Sequence, residues 1–125
     1  MRPDAELRLP VDPAFVSVLR AAAVSMAARL NFTVDDIEDL RMAVGEAASL
    51  VLPEDPPEGA DLHGAFFFDA QAMTVRVSTR TKAPAPVDES DFAWQVLSAL
   101  TVDSSTEVAA DTVMVTFTVR STASI

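Results

Sequence analysis

Residues 33–53, T-V-D-D-I-E-D-L-R-M-A-V-G-E-A-A-S-L-V-L-P, commit this chain to one long helix whose two ends are both marked. Thr33 has the hydroxyl that caps a first turn, and Asp36 completes an acidic version of the capping box. Phe32 before the cap and Ile37 after it have the spacing of a hydrophobic staple. Pro53 stops the run because it lacks the N–H that would continue the hydrogen-bond ladder. Ile37, Leu40, Val44, Ala47 and Val51 recur at helical spacing and form one apolar stripe, which must be buried against something. The early acids Asp35, Asp36, Glu38 and Asp39 crowd the first turns. Glu46 stands apart from them as a lone carboxylate in the apolar half of the helix.

The flanking segments say what buries that stripe. Residues 4–9 alternate apolar and polar and read as a short strand closed by Pro10. Asp12 and Pro13 then supply a cap and a helix-starting proline. The next helix carries Phe15, Leu19, Ala22, Met26 and Leu30 on one stripe, with Ser17, Arg20 and Arg29 on the other face and Asn31 as its stop. So short a connection to Thr33 makes the two helices pack antiparallel or at a steep angle. Residues 53–61 are acidic and rich in proline and form a surface loop. Two strands follow, at 62–69 and 72–79, joined by a tight turn at residues 69–71. Met73, Val75 and Val77 lie on one face, and Thr74, Arg76 and Ser78 on the other.

A second loop, residues 80–90, leads to a short helix with its stripe on Phe92, Val96, Leu97 and Leu100 and with Trp94 off that stripe. Strands at 104–109 and 112–120 finish the chain, the last setting Val113, Val115, Phe117 and Val119 against Thr112, Met114, Thr116 and Thr118. This order predicts one α+β domain over residues 1–125, a two-layer α/β sandwich with a mostly antiparallel sheet and helices on one face.

Composition excludes several classes of chemistry. With no cysteine and a single histidine, His63, neither thiolate chemistry nor a zinc site is expected. No serine sits in a G-x-S-x-G elbow. The three glycines, Gly45, Gly59 and Gly64, are scattered, so no glycine-rich phosphate cradle of the P-loop or dinucleotide type exists. Nineteen acids against nine bases give a net charge of −10, which speaks against binding nucleic acid. Such a charge either keeps a protein soluble or speeds encounter with a basic protein partner. Apolar runs are too short for a membrane span, and the polar N-terminus is not a signal peptide, so a cytoplasmic location is expected.

Three segments carry a resemblance: E-L-R-L-P in the first strand, F-V-S-V-L-R in the first helix, and D-L-R-M-A-V-G-E-A in the second, which matches D-L-x-L-A-V-x-E-A. The chain resembles the RsbW-like anti-sigma-factor serine kinases of the GHKL (Bergerat, histidine kinase-like ATPase) superfamily. The segment D-F-A-W-Q-V-L-S-A-L-T-V-D is similar to actinobacterial members with degenerate nucleotide sites. The resemblance makes Glu46 the base that activates a serine of an anti-anti-sigma (STAS) protein. Four residues on, the family's Mg²⁺-binding asparagine is replaced by Leu50, which offers no oxygen to a hard cation. The D-x-G-x-G segment is matched by Thr79, Thr81 and Ala83, and the glycine-rich lid by D-F-A-W-Q-V-L, where Trp94 fills space.

The resemblance therefore implies an anti-sigma factor-like transcription regulator of the stress-response kind, a dimeric pseudokinase that expects neither ATP nor Mg²⁺. It would sequester a sigma factor and be countered by a STAS protein. Ser17 and Arg20, on the exposed face of the first helix, would take part in docking. The alternative is an active serine-protein kinase, with Glu46 as working base and Mg·ATP bound in a divergent site. A dimerisation module without a sigma partner is a third possibility. Each residue also has a plainer reading: Arg20 as a solvated helix charge, Glu46 as an inherited acid paired with Arg41 or Arg76, and the early acids as a face complementing the helix dipole.

Overall fold

The computed structural model describes residues 2–123, and its last strand shows how the sandwich is made. In β5 (Thr112–Arg120) Val113, Val115, Phe117 and Val119 are buried, while the threonines and Met114 between them are only partly covered. β3 (Ala72–Arg80) lies antiparallel beside it with Val75 opposite Phe117 and Val77 opposite Val115. The buried rows of the two strands thus line up on one face. β2 (Asp61–Phe68) and β1 (Ala5–Pro10) continue that face through Leu62, Gly64 and Phe66, and β4 (Asp103–Ala109) pairs with β5 on the far side. The described residues form one five-stranded antiparallel sheet in the order β1-β2-β3-β5-β4.

Three helices cover the apolar face: α1 (Val16–Ala27), α2 (Val34–Val51) and α3 (Phe92–Leu100). α2 lies in the middle, packed on β3 and β5 below and on α1 and α3 at its sides. Leu40, Ala43, Val44, Ala47 and Ala48 are completely buried, a broader stripe than five periodic positions alone require. The α+β two-layer sandwich read from the sequence is the fold, and the capping box is present. The Thr33 hydroxyl accepts from the Asp36 N–H at 3.1 Å, and the Asp36 carboxylate accepts from the Thr33 N–H at 2.9 Å. No helix among the described residues is long and apolar enough to cross a membrane.

Two stripes differ from the periodicity. Residues Pro13–Phe15 form a 3-10 turn capped by Asp12, so the α-helical phase starts only at Val16. The buried line of α1 is therefore Val16, Leu19, Ala23 and Ala27, leaving Phe15, Ala22, Met26 and Leu30 half-buried at its flank. The helix also ends at Ala27, ahead of Asn31, whose N–H instead bonds to the Ala70 carbonyl at 3.2 Å. In α3 the buried residues are Trp94 and Leu97, and Phe92 is 80% exposed. Asp91 caps this helix through the Ala93 N–H, which makes Phe92 its first residue, at the solvent end. An indole removes more apolar area from water than a phenyl ring, so the helix turns its tryptophan inward.

Gly64 shows how closely the layers approach. A Cβ on this residue would sit 2.6 Å from Cδ1 of the fully buried Leu19 on α1. Gly64→Ala should therefore destabilise the fold by about 2 kcal/mol, roughly 8 °C in melting temperature, because the core must shift to admit one methyl group. An unchanged thermal melt would show that α1 is free to move away from the sheet.

Candidate functional site

Two depressions lie along α2 and share Ser49. The first is a cleft of about 300 Å³ between α1 and α2, lined by Arg20, Arg41, Met42, Gly45, Glu46 and Ser49. Arg20 and Glu46, singled out on different helices, thus meet in one place. Arg20 reaches across α2 at Gly45, where an added Cβ would lie 3.2 Å from its Nη1. Both side chains are half-buried, and neither forms an ion pair with a described residue.

The partners proposed for Glu46 are engaged elsewhere. Arg41 binds Glu38 one turn back at 2.8 Å, and its hydrogen bond, with the attraction of its charge, holds the Glu38 carboxyl below the usual range. Arg76 lies on the open face of the sheet with its guanidinium 5.3 Å from the centre of the Phe67 ring. Ser17 is exposed at the start of α1, donates to the Ala14 carbonyl at 3.2 Å and does not line the cleft.

The second depression is a cavity of about 360 Å³ at the C-terminal end of α2, closed by the 81–91 loop and the start of α3. Leu50, Thr81 and Ala83 all line it, so three of the positions matched to nucleotide-binding residues converge there. Thr79 does not; it is 2% exposed in β3, opposite Val113. Pro86, Val87 and Val113 add hydrocarbon to the walls, and Asp88 and Asp91 add carboxylates. Asp88 accepts from the Ser90 hydroxyl at 2.6 Å and the Ser90 N–H at 2.9 Å, bonds that hold its carboxyl below the usual value. Neither a basic side chain nor a glycine is among the lining residues. Trp94 is buried just beyond Ala93 at this end of the core.

The early acids of α2 do not form one face. Asp36 is buried and Glu38 is paired, which leaves Asp35 exposed and Asp39 half-buried. His63 lies in β2 with Nε2 3.0 Å from a Glu6 oxygen. Sequence reasoning missed the two wall carboxylates, although S-D-F-A has the form of a helix cap. It also missed Gly45, whose place inside a helix was a signal in itself.

No family model matches the chain. It is 34% identical over 73 residues to the serine-protein kinase RsbW of Halalkalibacterium halodurans, covering 58% of this chain and 45% of that protein. It is 41% identical over 44 residues to the RsbW of Bacillus velezensis and 39% identical over 44 residues to that of Bacillus subtilis. Each of these two matches covers 35% of this chain and 28% of the relative. The matches thus span less than half the length of these relatives.

Proposed function

We propose that the chain, similar over part of its length to RsbW serine-protein kinases, is a regulator of the GHKL type that acts on transcription by sequestering a sigma factor rather than by transferring phosphate. One observation carries this reading: the two depressions along α2 differ in chemistry. The cleft keeps a charged pair of side chains without mutual or outside partners, as a protein-binding surface needs. The neighbouring cavity is unsuited to Mg·ATP. Leu50, at the position that the resemblance matches to the metal ligand, lines it with hydrocarbon, and the carboxylates of Asp88 and Asp91 are the charged groups among its described lining residues. Phosphoryl transfer depends on positive charge and backbone N–H groups around the moving phosphate. Two acids without a base or a glycine repel it instead.

In this reading Arg20 belongs to the docking surface, Ser17 lies at its rim, and Glu46 is a vestigial base. The protein works in the cytoplasm as a homodimer in a stress response, and an anti-anti-sigma (STAS) protein displaces the sigma factor by competing for the cleft. Titration of the purified sigma factors of the source organism by calorimetry tests this; binding by none of them overturns it. The second reading, an active serine-protein kinase, has one observation in its favour: Glu46 is half-buried and unpaired, as a general base should be.

Nucleotide separates the two readings. With Mg·ATP or Mg·ADP at millimolar concentration we expect a melting shift below about 1 °C. A ligand present at about 100 times its Kd adds about 2.7 kcal/mol, roughly 10 °C for a domain of this size. A shift of that order would move the reading to the kinase, with phosphorylation of a STAS protein as the next assay.

A further inference from the structure

On the face of the sheet away from the helices, Thr74 of β3 and Thr118 of β5 stand opposite each other and share a hydrogen bond of 2.7 Å. Four residues further along β3, on the same face, Ser78 lacks such a partner. Its cross-strand neighbours are His63 on β2 and Met114 on β5, and its hydroxyl bonds to no described residue. The His63 ring is engaged by Glu6, 3.0 Å from Nε2, and a thioether is only a weak acceptor. Ser78 is nevertheless only 7% exposed. A buried hydroxyl without a partner is rare in a folded protein, because burial takes away the water that would otherwise bond to it.

Ser78 lines a pocket of about 210 Å³ together with Arg8, Asp61, His63, Arg80 and Thr112, beside Gly59 of the 53–61 loop. The sheet brings them together: Arg8, His63 and Ser78 form one cross-strand row, and Arg80 follows Ser78 on the same face of β3. In a chain of net charge −10, this pocket sets two arginines against one acid among its described lining residues. Neither guanidinium is fully used. Arg80 meets Asp111 through Nε at 2.9 Å, which leaves its two Nη groups, and Arg8 has Asp61 at 3.8 Å, too far for a hydrogen bond. Both pairs are solvent-exposed, where an ion pair contributes little and is readily exchanged. Guanidinium N–H groups and a hydroxyl around one small space suit the acceptor oxygens of a tetrahedral anion. We infer that this pocket binds a phosphate-type oxyanion, with Arg8 and Arg80 supplying the charge and Ser78 a hydroxyl donor. Asp111 and Glu6 hold Arg80 and His63 from outside the pocket, and Asp61 gives up Arg8 when the anion enters. The pocket lies on the face of the sheet opposite the two depressions along α2, so it stands or falls independently of the sequestration reading.

The probe is inorganic phosphate, titrated into the full chain at constant ionic strength and followed in ¹H–¹⁵N NMR spectra, with chloride as the control. The Ser78, His63 and Thr112 amide signals should shift saturably while those of Gly45 and Glu46 in the α1–α2 cleft stay. Arg8→Gln and Arg80→Gln should each weaken phosphate binding about tenfold. Ser78→Ala should weaken it about fivefold without lowering the melting temperature, since alanine removes a hydroxyl that no described residue holds. Methyl phosphate separates two sources of the anion. Tighter binding than phosphate assigns the pocket to a phosphoryl group carried on a small molecule, and weaker binding to the free ion; either result supports the oxyanion site. Shifts that do not saturate, that chloride reproduces, or that persist undiminished in both arginine variants overturn it. The two arginines are exposed, so their variants keep the test decisive even if Ser78→Ala fails to fold. Full affinity in a folded Ser78→Ala overturns the part assigned to the hydroxyl.

Discussion

Replacing Asp36 with alanine should destabilise the protein by about 3 kcal/mol and lower its melting temperature by roughly 10 °C. Asp36 is only 3% exposed, yet it carries the charge of an ordinary surface acid. Its carboxylate accepts from the Thr33 N–H at 2.9 Å, the Thr122 N–H at 2.9 Å and the Thr122 hydroxyl at 2.8 Å. One side chain therefore caps α2 and fastens the segment after β5 to the helix layer. Ser121 strengthens the same junction, donating its N–H to the Gln71 carbonyl at 2.7 Å and its hydroxyl to the Asn31 carbonyl. Alanine would leave three donors without their acceptor, two of them backbone N–H groups.

Asparagine tests the charge separately. Its amide nitrogen would point a donor at one of those donors, so Asp36→Asn should recover only part of the loss. Burial raises the Asp36 pKa, but the hydrogen bonds from Thr122 and Thr33 outweigh it and leave the value below the ordinary 3.8. A carboxyl whose pKa is lower in the folded state stabilises fully above its unfolded value. That contribution is lost as pH falls through the folded value. Wild-type stability should therefore drop below about pH 4, by an amount reduced in Asp36→Asn. Equal acid sensitivity in the two proteins would place the charge effect at other carboxylates.

The sequence makes the fold legible wherever one periodicity acts alone. The alternation of β5 and the cap of α2 appear in the structure as read, because each needs little more than a local pattern and one buried face. Of the α2 stripe, Leu40, Val44, Ala47 and Val51 are buried, with Ala43 and Ala48 added and Ile37 only partly covered. What was not legible depends on phase and on distant partners. The stripe of α1 is displaced because a three-residue 3-10 turn at Pro13–Phe15 changes where the helical count begins. α3 turns inward on Trp94 because tertiary burial of the larger ring overrides the better-spaced set containing Phe92. Asp36 was legible as half of the capping box, but its second role was not, because the Thr122 it also binds lies 86 residues away. At the site, Glu46 and Arg20 were legible from a motif and a helix face. Their convergence in one cleft was not, since it follows from how α1 crosses α2 at a residue with no side chain.

Arg20→Glu should reduce binding of the sigma factor at least 100-fold while changing the melting temperature by less than about 3 °C. The stability effect is small because Arg20 makes no ion pair or hydrogen bond that the change would break. The binding effect is large because the substitution replaces a cation by an anion beside Glu46, so a partner's carboxylate meets two negative charges where it had a guanidinium. Glu46→Ala should have little effect on binding. It removes the one acid among the described residues lining the cleft, a group without an ion-pair partner there, so it should leave sigma-factor affinity within about twofold of wild type. The kinase reading requires a different pattern, in which Glu46→Ala abolishes phosphorylation of a STAS protein that the unaltered chain modifies. Calorimetry on both variants, with that assay beside it, assigns the cleft to docking or to chemistry. Equal affinity of Arg20→Glu and wild type would remove Arg20 from the docking surface. Loss of phosphate transfer in Glu46→Ala would restore its carboxylate as a working base.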